Sequence, residues 1–266
     1  MSAVTIRAPL TPKADTTPYV VQLKVFWKTT KKWKASDISD FQRGMPRIAE
    51  RLRTEKYWNK DGDIKTSKFT CEDFAIRVLC EYASAKGLPV KLRTGTRTYR
   101  NMELYNAEEH DRYASNMYGF SEMVMLTYGA PDMQRVGVNM VPIDKPEDVL
   151  PGDILALVHD AKGNANGGRA HHIQVVVATS SHSMEIYQGN SDSTIHRPIT
   201  WLNRLVRRNA ADPRQGAYAG LRIELGIYTS KSSGRWDYTN NATKSHNKDF
   251  LKYFDLLRWN FKEFNR

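Results

Sequence analysis

The chain has 266 residues, 40% of them hydrophobic and 11% aromatic. That is enough for a sizeable core and excludes global disorder; the length suits one large domain or two small ones. No run approaches the about 18–20 uncharged apolar residues of a membrane span, and Met1 to Pro18 offers no apolar stretch to serve as a secretory signal. Forty Lys and Arg against 29 Asp and Glu leave a formal charge of +11. Such an excess favours anionic partners: nucleic acid, an acidic membrane or a bacterial cell wall.

Residues 1–18, with three prolines among Thr and Ala, read as a flexible leader. Tyr19 to Trp27 alternates like a strand, and Asp37 to Arg53 carries Phe41, Met45, Ile48 and Leu52 on one helical stripe. Asn59, Asp61 and Asp63 resemble part of a calcium loop, but Gly62 stands one place too early and Thr70 replaces the closing Glu. A plain turn is the better reading there. Thr70 to Lys86 is the best-defined helix: Thr70 caps it, Glu72 and Asp73 place negative charge in its first turn, and Gly87 with Pro89 ends it. It is apolar on two sides, so it is expected to lie buried between layers. Polar and helical stretches follow from Arg100 to about Tyr128. Strand-like runs then occupy Asp153–Val158, His172–Ala178, Met184–Gln188 and Leu221–Tyr228. Helix first and antiparallel sheet afterwards predict an α+β fold. One domain over residues 19–229 is expected, with an insertion around 95–145; residues 230–266 read as a linker and helical tail with a helix near Asp249–Phe264.

The two cysteines, Cys71 and Cys80, lie nine apart in the predicted helix. Their Cα atoms would be about 13 Å apart on opposite faces, whereas a disulfide needs less than about 7 Å. They are therefore expected as separate thiols. A thiol nucleophile wants a lowered pKa, a neighbouring imidazole and a third group to orient that imidazole. Cys71 sits in the first helical turn, where free N–H groups and the dipole favour a thiolate; Cys80 sits mid-helix and reads as core.

Thr70-Cys71-Glu72-Asp73-Phe74 is followed by Leu150-Pro151-Gly152-Asp153-Ile154-Leu155, then His172-Ile173-Gln174-Val175, then Tyr187-Gln188-Gly189-Asn190. This order resembles the papain-like cell-wall peptidases of the NlpC type and the related CHAP amidases, over roughly residues 60–190. The resemblance implies a buried helix bearing the nucleophile Cys71, packed on an antiparallel sheet. His172 is the implied base, with its neighbour His171 as the alternative, since adjacent strand residues point to opposite faces. Gln188 or Asn190 would orient the imidazole, and the backbone N–H of Cys71 would contribute to the oxyanion hole. The sequence departs from the family in having Thr-Cys-Glu-Asp-Phe for Asp-Cys-Ser-Gly-Phe, in about 50 extra residues before the Pro-Gly-Asp turn, and in an amide at the third position. The histidine pair lacks further ligands at metal-site spacing, so no zinc and no other cofactor is expected.

The implied activity is amide hydrolysis in the peptide stems of peptidoglycan. A basic chain without a recognisable signal peptide then implies an antibacterial effector or phage lysin, secreted by another route and acting in a target cell's periplasm or wall. A cognate immunity protein and a secretion machine are the implied partners. The basic segments Lys28–Lys34, Lys91–Arg100 and Arg204–Arg214 read as solvated faces or polymer contacts, and no nucleic-acid-binding motif accompanies them. Two rivals stand beside this reading. One is a papain-like acyltransferase, deamidase or protease acting on proteins; the other is a non-enzymatic basic interaction module with both cysteines in the core.

Overall fold

A computed structural model describes residues 4–7, 20–55, 68–104, 110–158, 168–189, 211–215, 218–231 and 234–266. The fold is α+β with antiparallel sheets. Strand β1 (Val4–Arg7) pairs with β2 (Val20–Val25), so part of the expected flexible leader is a strand. Helix α1 (Ala35–Thr54) buries Phe41, Met45, Ala49 and Leu52, the stripe expected from its spacing apart from Ile48, which is partly buried. Short β3 (Lys68–Phe69) leads into α2 (Cys71–Lys86). The Thr70 hydroxyl accepts the Asp73 N–H at 3.3 Å and Gly87 closes the helix in the left-handed region, so both sequence signals act as read. Eleven of the sixteen α2 residues are buried, which places this helix between layers as its two apolar stripes require.

Strand β4 (Lys91–Arg93) precedes the predicted insertion and forms a hairpin with β5 (Thr98–Arg100) inside it; β6 (Met102–Leu104) then pairs with β2. Helices α3 (Met117–Met125) and α4 (Ala130–Met133) and strand β7 (Met140–Pro142) follow. The main sheet is completed by β8 (Ile154–Leu157), β9 (His172–Thr179), β10 (Ser183–Gln188), β12 (Glu224–Ser230), β13 (Trp236–Asn240), β14 (His246–Asn247) and β15 (Phe254–Trp259). Its order is β14-β13-β12-β10-β9-β8-β15-β7, while β11 (Leu221–Arg222) pairs separately with β3. The segment after 230 is thus no appended tail. It supplies three strands, and β15 lies between β8 and β7; the expected helix near 249–264 shrinks to α5 (Phe261–Phe264). The aromatic residues that suggested a helix fall on opposite faces of β15, Phe254 in one apolar layer and Trp259, with Leu257, in the other.

The sheet separates two apolar layers. Ile173, Val175 and Val177 of β9 pack with α2, whereas Val176 joins Met184, Ile186, Tyr228 and Tyr238 on the other face. Asp153 of the Pro-Gly-Asp turn is buried, and both its oxygens are held by Arg258 of β15, at 2.8 and 2.6 Å. The turn therefore docks the C-terminal strand onto β8.

Candidate active site

Cys71 occupies the first turn of α2, 5% exposed, where β3 delivers it to the end of β10. The approach depends on Gly189: a side chain there would collide with the Phe69 carbonyl and the Thr70 backbone. The Cys71 Sγ donates to Glu72 Oε2 at 2.9 Å, and the backbone N–H groups of Ile173 and Glu72 lie near enough to favour the thiolate. Ile173 is the residue next to His172, so the nucleophile candidate lies beside the start of β9. Thr70 and the Glu72 N–H lie near the Glu72 carboxyl and favour its charged form.

His172 and Gln188 come together as expected. The imidazole Nε2 donates to Gln188 Oε1 at 2.8 Å, in a buried setting. The other ring nitrogen, Nδ1, is buried and has no hydrogen-bond partner among the described residues. Both side chains belong to the sheet face of Val176 and Ile186, while Tyr187 turns to α2 and meets Phe74. Alternation along β9 puts His171 on the α2 side, its N–H bonded to Leu157 O at 3.0 Å. No hydrogen bond joins Cys71 to either histidine among the described residues; the thiol is engaged by Glu72 instead. Asn190 lies outside the described residues, as do Asn59, Asp61, Asp63, Arg204, Arg207 and Arg208.

The electrostatics correct one expectation. The helix start was expected to favour a thiolate at Cys71, yet burial pushes this thiol well up, and the neighbouring Glu72 charge and hydrogen bond push it further. Two N–H contacts oppose these effects and lose. Burial also raises Glu72, and it raises Asp73 well above the usual carboxylate range. His172 moves the other way: burial lowers it to about 4, with the Gln188 bond opposing. At neutral pH the site therefore holds a neutral thiol and a neutral imidazole. Cys80 is fully buried, its thiol pushed up to about 12 by burial, which fits the core role read from its mid-helix position.

Sequence reasoning missed Tyr218. Its hydroxyl donates to Asp73 Oδ2 at 2.8 Å and accepts the Thr70 N–H at 3.1 Å, clamping the turn that carries Cys71. The contact spans 145–148 residues, and the pairing of β11 with β3 makes it. No local pattern signals it. The amide Gln174 and the ring of Tyr238 were missed equally: Gln174 Nε2 donates to Gln188 Oε1 at 2.8 Å, and Gln188 Nε2 donates to Tyr238 Oη at 2.7 Å. A glutamine amid a run of β-branched residues was the available sign for the first. Among the described residues no group of three or more His, Cys, Asp or Glu is placed to hold a metal ion, and no helix is long and apolar enough to cross a membrane. No protein-family model, no curated protein and no solved structure matches the chain.

Proposed function

We propose that the chain is a papain-like cysteine hydrolase cleaving amide bonds in peptidoglycan stem peptides, an antibacterial effector or lysin working in the target's periplasm or wall. The observation that carries the reading is His172, whose Nε2–H is held by Gln188 while its buried Nδ1 has no hydrogen-bond partner among the described residues, one residue from the Ile173 N–H near Cys71 Sγ. Nδ1 takes the thiol proton as Sγ bonds to the substrate carbonyl carbon, which requires the thiol to leave Glu72 and turn past the end of β9 to the sheet face that carries His172. The Cys71 N–H faces the developing oxyanion. Collapse breaks the C–N bond and returns the proton to the leaving amine; water then hydrolyses the thioester with His172 again as base. Because thiol and imidazole are both neutral at rest, proton transfer accompanies attack rather than preceding it. The basic charge supports an anionic polymer as substrate. A cognate immunity protein covering the site and a secretion machine delivering the protein belong to the same reading.

Mass spectrometry of purified sacculi digested by the protein tests it. New amide-cleavage products are expected from the wild type and from Cys80→Ala, and none from Cys71→Ala. Cleavage by a folded Cys71→Ala protein would remove the nucleophile assignment. The burial and raised pKa of Cys71 favour one second reading, a non-enzymatic basic module with Cys71 in the core. Sacculi left intact by the wild type would favour that module.

A further inference from the structure

The face of the main sheet away from α2 carries a line of buried polar groups within an otherwise apolar layer. Tyr228 Oη donates to Gln174 Oε1 at 2.8 Å; Gln174 Nε2 donates to Gln188 Oε1, which also receives His172 Nε2–H. Gln188 Nε2 in turn reaches Tyr238 Oη. Gly226 leaves the room for that last contact, since a methyl group there would strike the Tyr238 ring and hydroxyl. Burying such groups is unfavourable unless each one is satisfied.

An amide can be reversed end for end at almost no steric expense, so the direction of this line needs a cause. Tyr228 is fully buried, and Gln174 Oε1 is the acceptor its O–H finds among the described residues. Reversing Gln174 would strand that proton in an apolar layer, which is unfavourable. Gln174 is thereby held with its NH₂ toward Gln188, and Gln188 with its oxygen toward His172. A carbonyl oxygen facing Nε2 requires the imidazole proton there and leaves the lone pair on Nδ1. Were both amides reversed, an NH₂ would face Nε2, the proton would move to Nδ1, and the base would lose its lone pair.

We propose that Tyr228 is a positioning residue that, through Gln174 and Gln188, sets the tautomer of His172 so that Nδ1 is the basic nitrogen. The proposal rests on reading His172 as the base only where catalysis is concerned; the tautomer itself is independent of any activity. Nitrogen-15 NMR of histidine-labelled protein at pH 7 reads it directly. The wild type is expected as one Nε2–H tautomer of His172, and Tyr228→Phe, which removes an oxygen and preserves the ring, as a mixture of tautomers. Gln174→Met is expected to give the same mixture by a second route, should Tyr228→Phe fail to fold. On muropeptides kcat is expected to fall in Tyr228→Phe by on the order of 100-fold with KM unchanged. A pure Nε2–H tautomer in the folded variants, or a wild type holding its proton on Nδ1, would overturn the proposal. A wild type with the expected tautomer, lost in Tyr228→Phe, but inert on every sacculus would support the relay and overturn the hydrolase reading alone.

Discussion

Cys71 and Glu72 set the chemistry of the site at the scale of single residues. The Glu72 carboxylate engages the thiol and raises its pKa, second only to burial. Glu72→Gln keeps the shape and removes the charge, so iodoacetamide alkylation of Cys71 at pH 7.5 is expected to speed up, because a lower thiol pKa leaves more thiolate. An unchanged rate would mean that burial alone governs the thiol. His172 gives a stability signature. Its pKa is 6.5 in the ordinary state and about 4 in the fold, so between these values the unfolded chain binds the proton and the folded one does not. Stability from this group is full above pH 6.5 and is lost as pH falls toward 4, by about 3 kcal/mol. Urea denaturation at pH 7.5 and pH 4 should show this loss in the wild type. In His172→Gln that contribution should vanish, whatever Glu72 and Asp73 add to both proteins.

Among the elements, α2 shows how much of a site rests on one helix end. Thr70 caps it, Gly87 ends it, and its apolar faces bury it, all of which was legible in the order of residues. The hold on its first turn was not. Tyr218 comes from beyond β10 to satisfy the Thr70 N–H and the Asp73 carboxyl together. Tyr218→Phe strips both partners while leaving the ring, and a destabilisation of about 1–3 kcal/mol is expected from chemical denaturation. Activity on muropeptides should fall with it, because Cys71 sits in that turn. A stability within about 0.5 kcal/mol of the wild type would show that water replaces the hydroxyl in full.

The whole molecule is closed by its C-terminal segment. β15 fills the place between β8 and β7, Arg258 grips Asp153, and the Asn265 side chain exchanges two hydrogen bonds with the Trp33 backbone, at 2.7 and 2.9 Å. Tyr238 of β13 reaches the candidate site itself. A chain ended after residue 230 is therefore expected to lose cooperative unfolding and near-ultraviolet dichroism, where a mere tail would be dispensable. The charge of +11 also belongs to this scale. Binding to sacculi is expected to weaken steeply between about 50 and 500 mM salt, which shortens the Debye length roughly threefold, while cleavage of a small muropeptide changes little. Salt-indifferent binding would leave the charge a matter of solubility.

The order of residues by itself determined what depends on neighbours within a turn or a strand. The ends of α2, the burial stripe of α1, the positions of β8, β9 and β10 and the separateness of the two thiols were all readable, because capping, periodicity and alternation are local physics, whereas the meeting of His172 with Gln188 was implied by the family resemblance, with His171 and Asn190 as alternatives. Only the tertiary structure decided the rest. Strand β15 reads as helix in isolation, since its aromatic spacing is ambiguous until β8 and β7 supply hydrogen bonds on both sides. The Cys71 thiol reads as acidic at a helix start, until packing removes water and sets Glu72 against it. Tyr218, Tyr228 and Tyr238 act across separations of 50 to 148 residues, where no local pattern records a partner. Burial and long-range pairing arise from the folded whole, and they govern the proton inventory of this site.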